Sequence, residues 1–414
     1  KIGDLMGQES RQLVVDGGHS IVDFDNKAFK PIPQEGIDLA VKAMSAGVMY
    51  RYQPKSKELS ITAKLEHSFS KYMGVKHTIG TNSCGSAMFI ALNIVGVKPG
   101  DKILTNAFTF HAVPSVIQHA RAIPVLVESN REWAMSAEDL DKKATETGAK
   151  VLLMSYMRGH VPDMDAVMEV VKKHDLIFIE DCAHAYETLW NGKYLGKFGQ
   201  IGCFSTQSSK GMSAGEGGIF ITDNDEYAAK AALYAGSYER LWTKHFDLDP
   251  EIMDRLQNQI PGYTMRMQEV TAAMLTPQIE RLPKIKKIHV ENWNLLHSLI
   301  HGHDNIEIPM PLPQVDSFCD TMQFHLTGLS REKADQFIDL MKMENVPMQI
   351  FGAKRNARDY RQWEYVEAHK EELGETIANI EFACDLSLQP HLTQDNIRVM
   401  AQVIGEVLAY INAQ

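Results

Sequence analysis

The chain carries little that could cross-link it or bind a metal. Its five cysteines, Cys84, Cys182, Cys203, Cys319 and Cys384, are odd in number, far apart and without a C-x-x-C pair. That spacing suggests neither a disulfide framework nor a zinc site, and it points to a reducing compartment, the cytoplasm. Long apolar runs are missing too. No stretch reaches the ~20 residues that a membrane-spanning helix needs, and the opening "KIGDLMGQESRQLVV" has no apolar segment behind a basic start. Because the chain opens on lysine, a few preceding residues are expected. Positive charge is in deficit. With 42 Lys and Arg against 53 Asp and Glu, the net charge of -11 argues against nucleic acid or an anionic membrane as the main partner. Neither internal repeats nor low-complexity tracts occur.

What remains is a chain of 414 residues, 44% of them apolar, long enough for two joined cores and suited to a small substrate. From about residue 57 to 225, short β-rich runs alternate with helical patterns, as in a mostly parallel α/β sheet covered on both faces. The strands expected are "DKILTNA", "IPVLVES", "AKVLLMSY", "DLIFIED", "GCFST" and "GGIFITD". Between them, "CGSAMFIALNIVGV", "HAVPSVIQHA", "SAEDLDKKATETG" and "DMDAVMEVVKKH" place apolar residues at three and four behind cap-type residues. After about residue 250 the rhythm loosens into a proline-punctuated stretch, a long helix around 266–300 and a smaller α+β lobe. The expected division is therefore a large domain over 30–249 and a small one over 250–414, with 1–29 packed near the small domain or a dimer interface.

In open parallel sheets, ligands bind beyond the carboxyl ends of the strands. There Asp181 ends "LIFIED", Ser205 ends "GCFS", and Lys210 follows in the loop. A lone lysine is ordinarily a solvated one. A lysine held in a pocket loses pKa by desolvation and becomes a nucleophile toward carbonyls, for which pyridoxal 5'-phosphate is the usual partner. That cofactor asks for an acid at its ring nitrogen and a seat for its phosphate. Asp181 suits the first role, though an aspartate there serves equally well as a helix cap. The small-residue turn "NSCGSA", running into a helix near Ser86, suits the second. Phe110, beyond the next strand, can stack on a ring or simply pack in the core. The joint occurrence of turn, aromatic, acid, serine and lysine, in an order one sheet can assemble, favours the cofactor site.

These residues resemble the sugar aminotransferases of the DegT/DnrJ/EryC/StrS type, fold type I pyridoxal-phosphate enzymes. The resemblance is carried by "GTNSCGSAMFIAL", "GVKPGDKIL", "AFTFHAVPSVI", "GHVPDMDAV", "IEDCAHAYE", "GCFSTQSSKGMSAGEGGIFIT", "PGYTMRMQEVTAAM" and "LSLQPHLTQDNI". It implies that Lys210 carries the cofactor, that Asp181 partners the pyridine nitrogen, and that Ala183 and Phe110 cover the two ring faces. His184 then stands near the 3'-oxygen, while Ser205 and the backbone of Cys84 and Gly85 take the phosphate. It further implies a homodimer whose partner subunit reaches the phosphate. Where the family keeps an asparagine for that contact, "GYTMR" has Thr264. Tyr156 and Glu187 are further departures, at positions where a histidine and a glycine are common. Dehydratase relatives lose the lysine or add an iron–sulfur cluster, so transamination is favoured, with L-glutamate or L-glutamine as donor and a keto or aldehydo sugar as acceptor. Arg51 and Tyr52, with Lys354, Arg355, Arg358 and Arg361, are the candidate anion partners for that sugar, against the plainer reading of a solvated basic surface.

Overall fold

The computed structural model describes residues 11–414. The alternating half of the sequence forms β1 (His77–Thr81), β2 (Lys102–Asn106), β3 (Ile123–Val127), β4 (Val151–Ser155) and β5 (Ile177–Asp181). A short pair, β6 (Leu189–Trp190) and β7 (Lys193–Tyr194), precedes β8 (Ile201–Ser205) and β9 (Gly218–Thr222). Seven of these make one sheet in the order β1-β9-β8-β5-β4-β2-β3. β9 pairs antiparallel with both its neighbours, and the remaining pairings are parallel. Because helices cover both faces, β4, β8 and β9 are buried at every position, which is why they read as unbroken apolar runs. One face buries Leu65, Phe69 and Met164, and the other Ile90, Leu92 and Leu233.

Serine and aspartate caps set the helix starts between the strands. Ser83, Ser136 and Asp163 accept the backbone N–H of Ser86, Asp139 and Ala166, respectively. β1 lies outside the strands expected from sequence. "HTIGT" has a single large apolar residue, Ile79, so its extended form comes from pairing along β9 rather than from its own pattern. The helix expected over 266–300 is in fact interrupted. It runs over Glu269–Leu275, tightens to a 3-10 turn at Thr276–Arg281 and resumes at Leu282–Ile300. Pro277 and Pro283 each lack the N–H that a continuous helix would use.

Further on, β10 (Ile306–Glu307), β11 (Val315–Asp316), β12 (Thr321–Leu326), β13 (Gln349–Ile350) and β14 (Ala383–Ser387) appear. β10-β12-β14-β13 form an antiparallel sheet, and β11 joins β6 and β7. Behind the antiparallel sheet lies a separate core holding Leu296, Phe324, Leu386 and Met400, together with Leu13 and Val22 from the start of the chain. Residues 1–10 lie outside the described residues. Met253, Leu256, Ala272 and Leu282 belong to the cores of the larger sheet, so we propose that the change of lobe falls within the helix Leu282–Ile300.

Candidate active site

Parallel pairing brings the carboxyl ends of the central strands to one edge. Ser155 at the end of β4 stands opposite Asp181 at the end of β5, and Asp181 opposite Cys203, two residues short of the end of β8. Ser155 Oγ donates to Asp181 Oδ2 at 2.7 Å, Ala183 N–H donates to Oδ1 at 3.1 Å, and Cys84 Sγ lies 3.7 Å from Oδ1. Burial pushes the Asp181 carboxyl up from the usual carboxylate range, while Ser155 and the Ala183 N–H pull it back down. The chain after Asp181 enters turns, not a helix, so the carboxylate caps no helix and is left facing the cavity. Its neighbour Glu180 points to the opposite face, where it accepts the Tyr156 hydroxyl at 2.6 Å and the N–H groups of Gly196, Phe198 and Gly199. Tyr156 is therefore a core residue tied to Glu180.

Lys210 sits in the loop between β8 and β9, its Nζ 2.9 Å from His184 Nε2. Burial, reinforced by the Arg158 guanidinium and opposed by Asp320 and Asp181, pushes the amine down to about 8. His184 is held well below its ordinary value by burial and by the neighbouring cations, and its neutral ring can accept from the lysine. One contact escaped the sequence reading. Lys30 donates through Nζ to the carbonyls of Lys210 at 2.9 Å and Gly211 at 2.7 Å. A residue 180 positions upstream carries no local signal for that bond.

The opposite wall is the turn at the start of the helix Cys84–Ile94. The first N–H groups of a helix have no partner within it, so those of Cys84 and Gly85 are donors available to an anion. The turn rests directly on β9, where a Cβ on Gly218 would fall 2.3 Å from the Ser83 carbonyl carbon. Cys84, Gly85, Phe110, Asp181, Ala183, His184, Ser205 and Lys210 all line one cavity of about 630 Å3. A desolvated amine, a buried acid and an anion cradle around a single cavity are the donor set that pyridoxal phosphate requires, and the residues present fit it. The model for the DegT/DnrJ/EryC1/StrS aminotransferase family matches residues 56–404. The chain belongs to that family.

Members of the family work with pyridoxal 5'-phosphate. Among curated relatives, the chain is 30% identical to the spore coat polysaccharide biosynthesis protein SpsC of Bacillus subtilis (strain 168), over 54% of this chain and 57% of that one. It is 32% identical to the GDP-perosamine synthase of Caulobacter vibrioides (strain ATCC 19089 / CIP 103742 / CB 15), over 53% and 56%. The chain thus spans a little over half the length of these two relatives. A crystal structure of 3-amino-5-hydroxybenzoic acid synthase superposes with a TM-score of 0.79 at 23% identity, covering 92% of this chain and 98% of that one, which establishes a shared fold.

Two further groups remain: Thr264, which the resemblance assigns to a partner subunit's phosphate, and the basic candidates. Thr264 is exposed and does not line the cavity of its own chain, although Met265 beside it accepts Asn82 N–H at 3.0 Å, next to the anion cradle. The basic candidates divide. Arg51 is 2% exposed, with both Nη atoms 2.7 Å from the Glu66 carboxylate, and Tyr52 is buried beside it, so neither can meet a substrate. Lys354 and Arg355 are exposed outside the cavity, and Arg361 is bound to Asp359 at 2.8 Å. Arg358 alone of the set lines the cavity, where it is joined by Arg158, which the sequence reading missed.

Proposed function

We propose that this chain is a pyridoxal-phosphate-dependent aminotransferase that moves an amino group from L-glutamate or L-glutamine to the carbonyl of a keto or aldehydo sugar. The observation that supports this most is the Lys210 amine, lowered in pKa by burial and set 2.9 Å from His184 in the cavity that also holds Asp181. Bound pyridoxal phosphate supplies an electron sink for the carbon that loses or gains a proton. The Lys210 amine would carry the proton that the donor's α-carbon loses. Asp181 holds the proton on the ring nitrogen, while Ser155 and the Ala183 N–H keep its carboxylate in place. The N–H groups of Cys84 and Gly85 and the Ser205 side chain would hold the phosphate, and Phe110 and Ala183 would cover the ring.

For the acceptor we propose 8-oxo-3,8-dideoxy-manno-octulosonate, which would yield an amino sugar of lipopolysaccharide in the cytoplasm. "RLWTKHFDLDP" and "GYTMR" resemble the aminotransferase that makes that sugar. A nucleotide-linked keto sugar is the second reading, favoured by the match to a GDP-perosamine synthase. The working unit in this reading is a homodimer. Helix Gln34–Ser45 leaves Ile37, Val41 and Met44 exposed, and Tyr50, 3.2 Å from Tyr238, and Tyr263 add exposed aromatic surface. Thr264 would meet the partner's phosphate site from there.

Incubation with glutamate and a panel of keto and aldehydo sugars should release 2-oxoglutarate and give an aminated sugar by mass. Borohydride reduction and peptide mapping should then place the pyridoxyl group on Lys210. A label on another lysine would overturn the assignment.

A further inference from the structure

Two arginines that line the Lys210 cavity are outside the set assigned to the cofactor. Arg158 lies in the turn after β4 with a left-handed backbone (φ 55°, ψ 22°), a conformation that costs a non-glycine residue energy and persists only where the surroundings enforce it. That turn sends its guanidinium across to the smaller sheet, where Nη2 donates to Asp385 Oδ2 at 2.6 Å. Asp385 is fully engaged. Gln323 donates to its Oδ1 at 2.8 Å and Gln349 to its Oδ2 at 2.7 Å, and the arginines hold its carboxyl below the usual range. Arg358 arrives from a different part of the chain. Its loop is pinned by a bridge between Phe108 and Asp359, which sets the guanidinium 5.5 Å from the centre of the Phe110 ring.

The donor count is lopsided. Among the described residues, Arg158 has one carboxylate contact, Arg358 has no side-chain hydrogen bond, and the Nε of each is buried without a partner. Burial and the charge of Arg158 push Arg358 down to about 10, so it remains cationic at neutral pH beside a like charge. Asp320 and Glu216 also line the cavity. Asp320 acts on Lys30 and Lys210, and neither acid has a direct contact with the arginine pair. Lys27 lines the same cavity and acts on Asp385 and Arg158, so Arg158, Arg358 and Lys27 leave positive charge in excess over Asp385, which calls for an anionic group on the substrate. Guanidinium forks also suit a planar carboxylate.

We propose that Arg158 and Arg358 form a carboxylate subsite for the acceptor, so that the sugar to be aminated is a sugar acid. The proposal rests on the sugar-aminotransferase reading and narrows its substrate class. A ping-pong transaminase admits donor and acceptor to one cavity in turn, so a subsite that meets a carboxylate of glutamate would meet that of the sugar acid as well.

The test is calorimetric titration of the holoenzyme with 3-deoxy-manno-octulosonate and, separately, with its methyl ester. The acid should bind at least about tenfold more tightly than the ester, as expected for one charge-assisted contact. Arg358→Leu should bring the acid down to the affinity of the ester, and Arg358→Lys should recover part of the difference. Arg158→Gln, which can still donate to Asp385, gives a second variant in which the preference should shrink. No binding of the acid, equal binding of acid and ester, or a preference that survives in both Arg358→Leu and Arg158→Gln would overturn the subsite. Failure of the aminotransferase reading has its own signature. If no sugar releases 2-oxoglutarate while the preference and its loss in the variants persist, the subsite stands and the reaction falls.

Discussion

Arg51 and Arg358 are both arginines drawn from the interior of the chain, yet they do opposite things. Arg51 is closed. Glu66 takes both of its Nη atoms, the Glu66 carboxylate also accepts Gly80 N–H at 2.7 Å, and the Phe246 ring covers the guanidinium at 4.5 Å. Arg358 is open, lying against one aromatic ring at the edge of a cavity, with no carboxylate of its own. Each leaves its Nε unpartnered, so an orphan Nε does not separate them. What does is whether the two Nη groups are already committed. Charge buried and saturated serves the fold, whereas charge buried and unsaturated is available to a ligand.

The largest expected effect tests the closed member. Arg51→Leu strands the Glu66 carboxylate and should cost about 3–5 kcal/mol of stability, measured by denaturant unfolding. Replacing Glu66 as well should restore much of it. A stable Arg51→Leu protein with weakened sugar binding would reverse the comparison. Next comes the cavity. Asp181→Asn should leave unfolding nearly unchanged yet lower transamination by about 1.5–3 kcal/mol, or on the order of ten- to a hundred-fold, because an amide cannot hold the ring nitrogen's proton. Unchanged turnover would show that another acid faces the ring.

Lys30 falls between the two classes, since its ammonium is committed to backbone but the backbone is that of Lys210 and Gly211. Lys30→Met should reduce kcat by about 1 kcal/mol, roughly fivefold, with little change in KM, because the Lys210 loop loses its tie while the substrate contacts stay. A changed KM alone would move Lys30 to substrate binding. The smallest effect is one of pH. Only the neutral amine attacks the cofactor's carbonyl, and the Lys210 ammonium is pushed down to about 8. Cofactor uptake by enzyme stripped of it should therefore rise as pH increases through about 8 and level off above. A limb near the ordinary lysine value would mean that the amine is still hydrated.

The site was legible where neighbouring residues share a pattern. Asp181, Ser205 and the Cys84–Gly85 turn each close a strand or open a helix, Lys210 follows in the loop after Ser205, and in a parallel sheet such ends meet at one edge. β1 was not legible, since one isoleucine in five residues does not distinguish a strand from a loop until β9 pairs with it. Nor was the break near Pro277 and Pro283, where an apolar period continues through two missing N–H donors.

By itself, the sequence determined the alternating α/β pattern, the strand-end chemistry and the lysine, because each is written in a periodicity or a short run of neighbours. Tertiary structure alone decided what each charge faces. Arg51 meets Glu66 across 15 residues, Lys30 meets Lys210 across 180, and Arg158 meets Asp385 across 227. Whether an ionised group stabilises the fold or waits for a ligand depends on the opposite charges within a few ångströms of it, and those distances are set only when the two sheets and the segment around Lys30 are packed together.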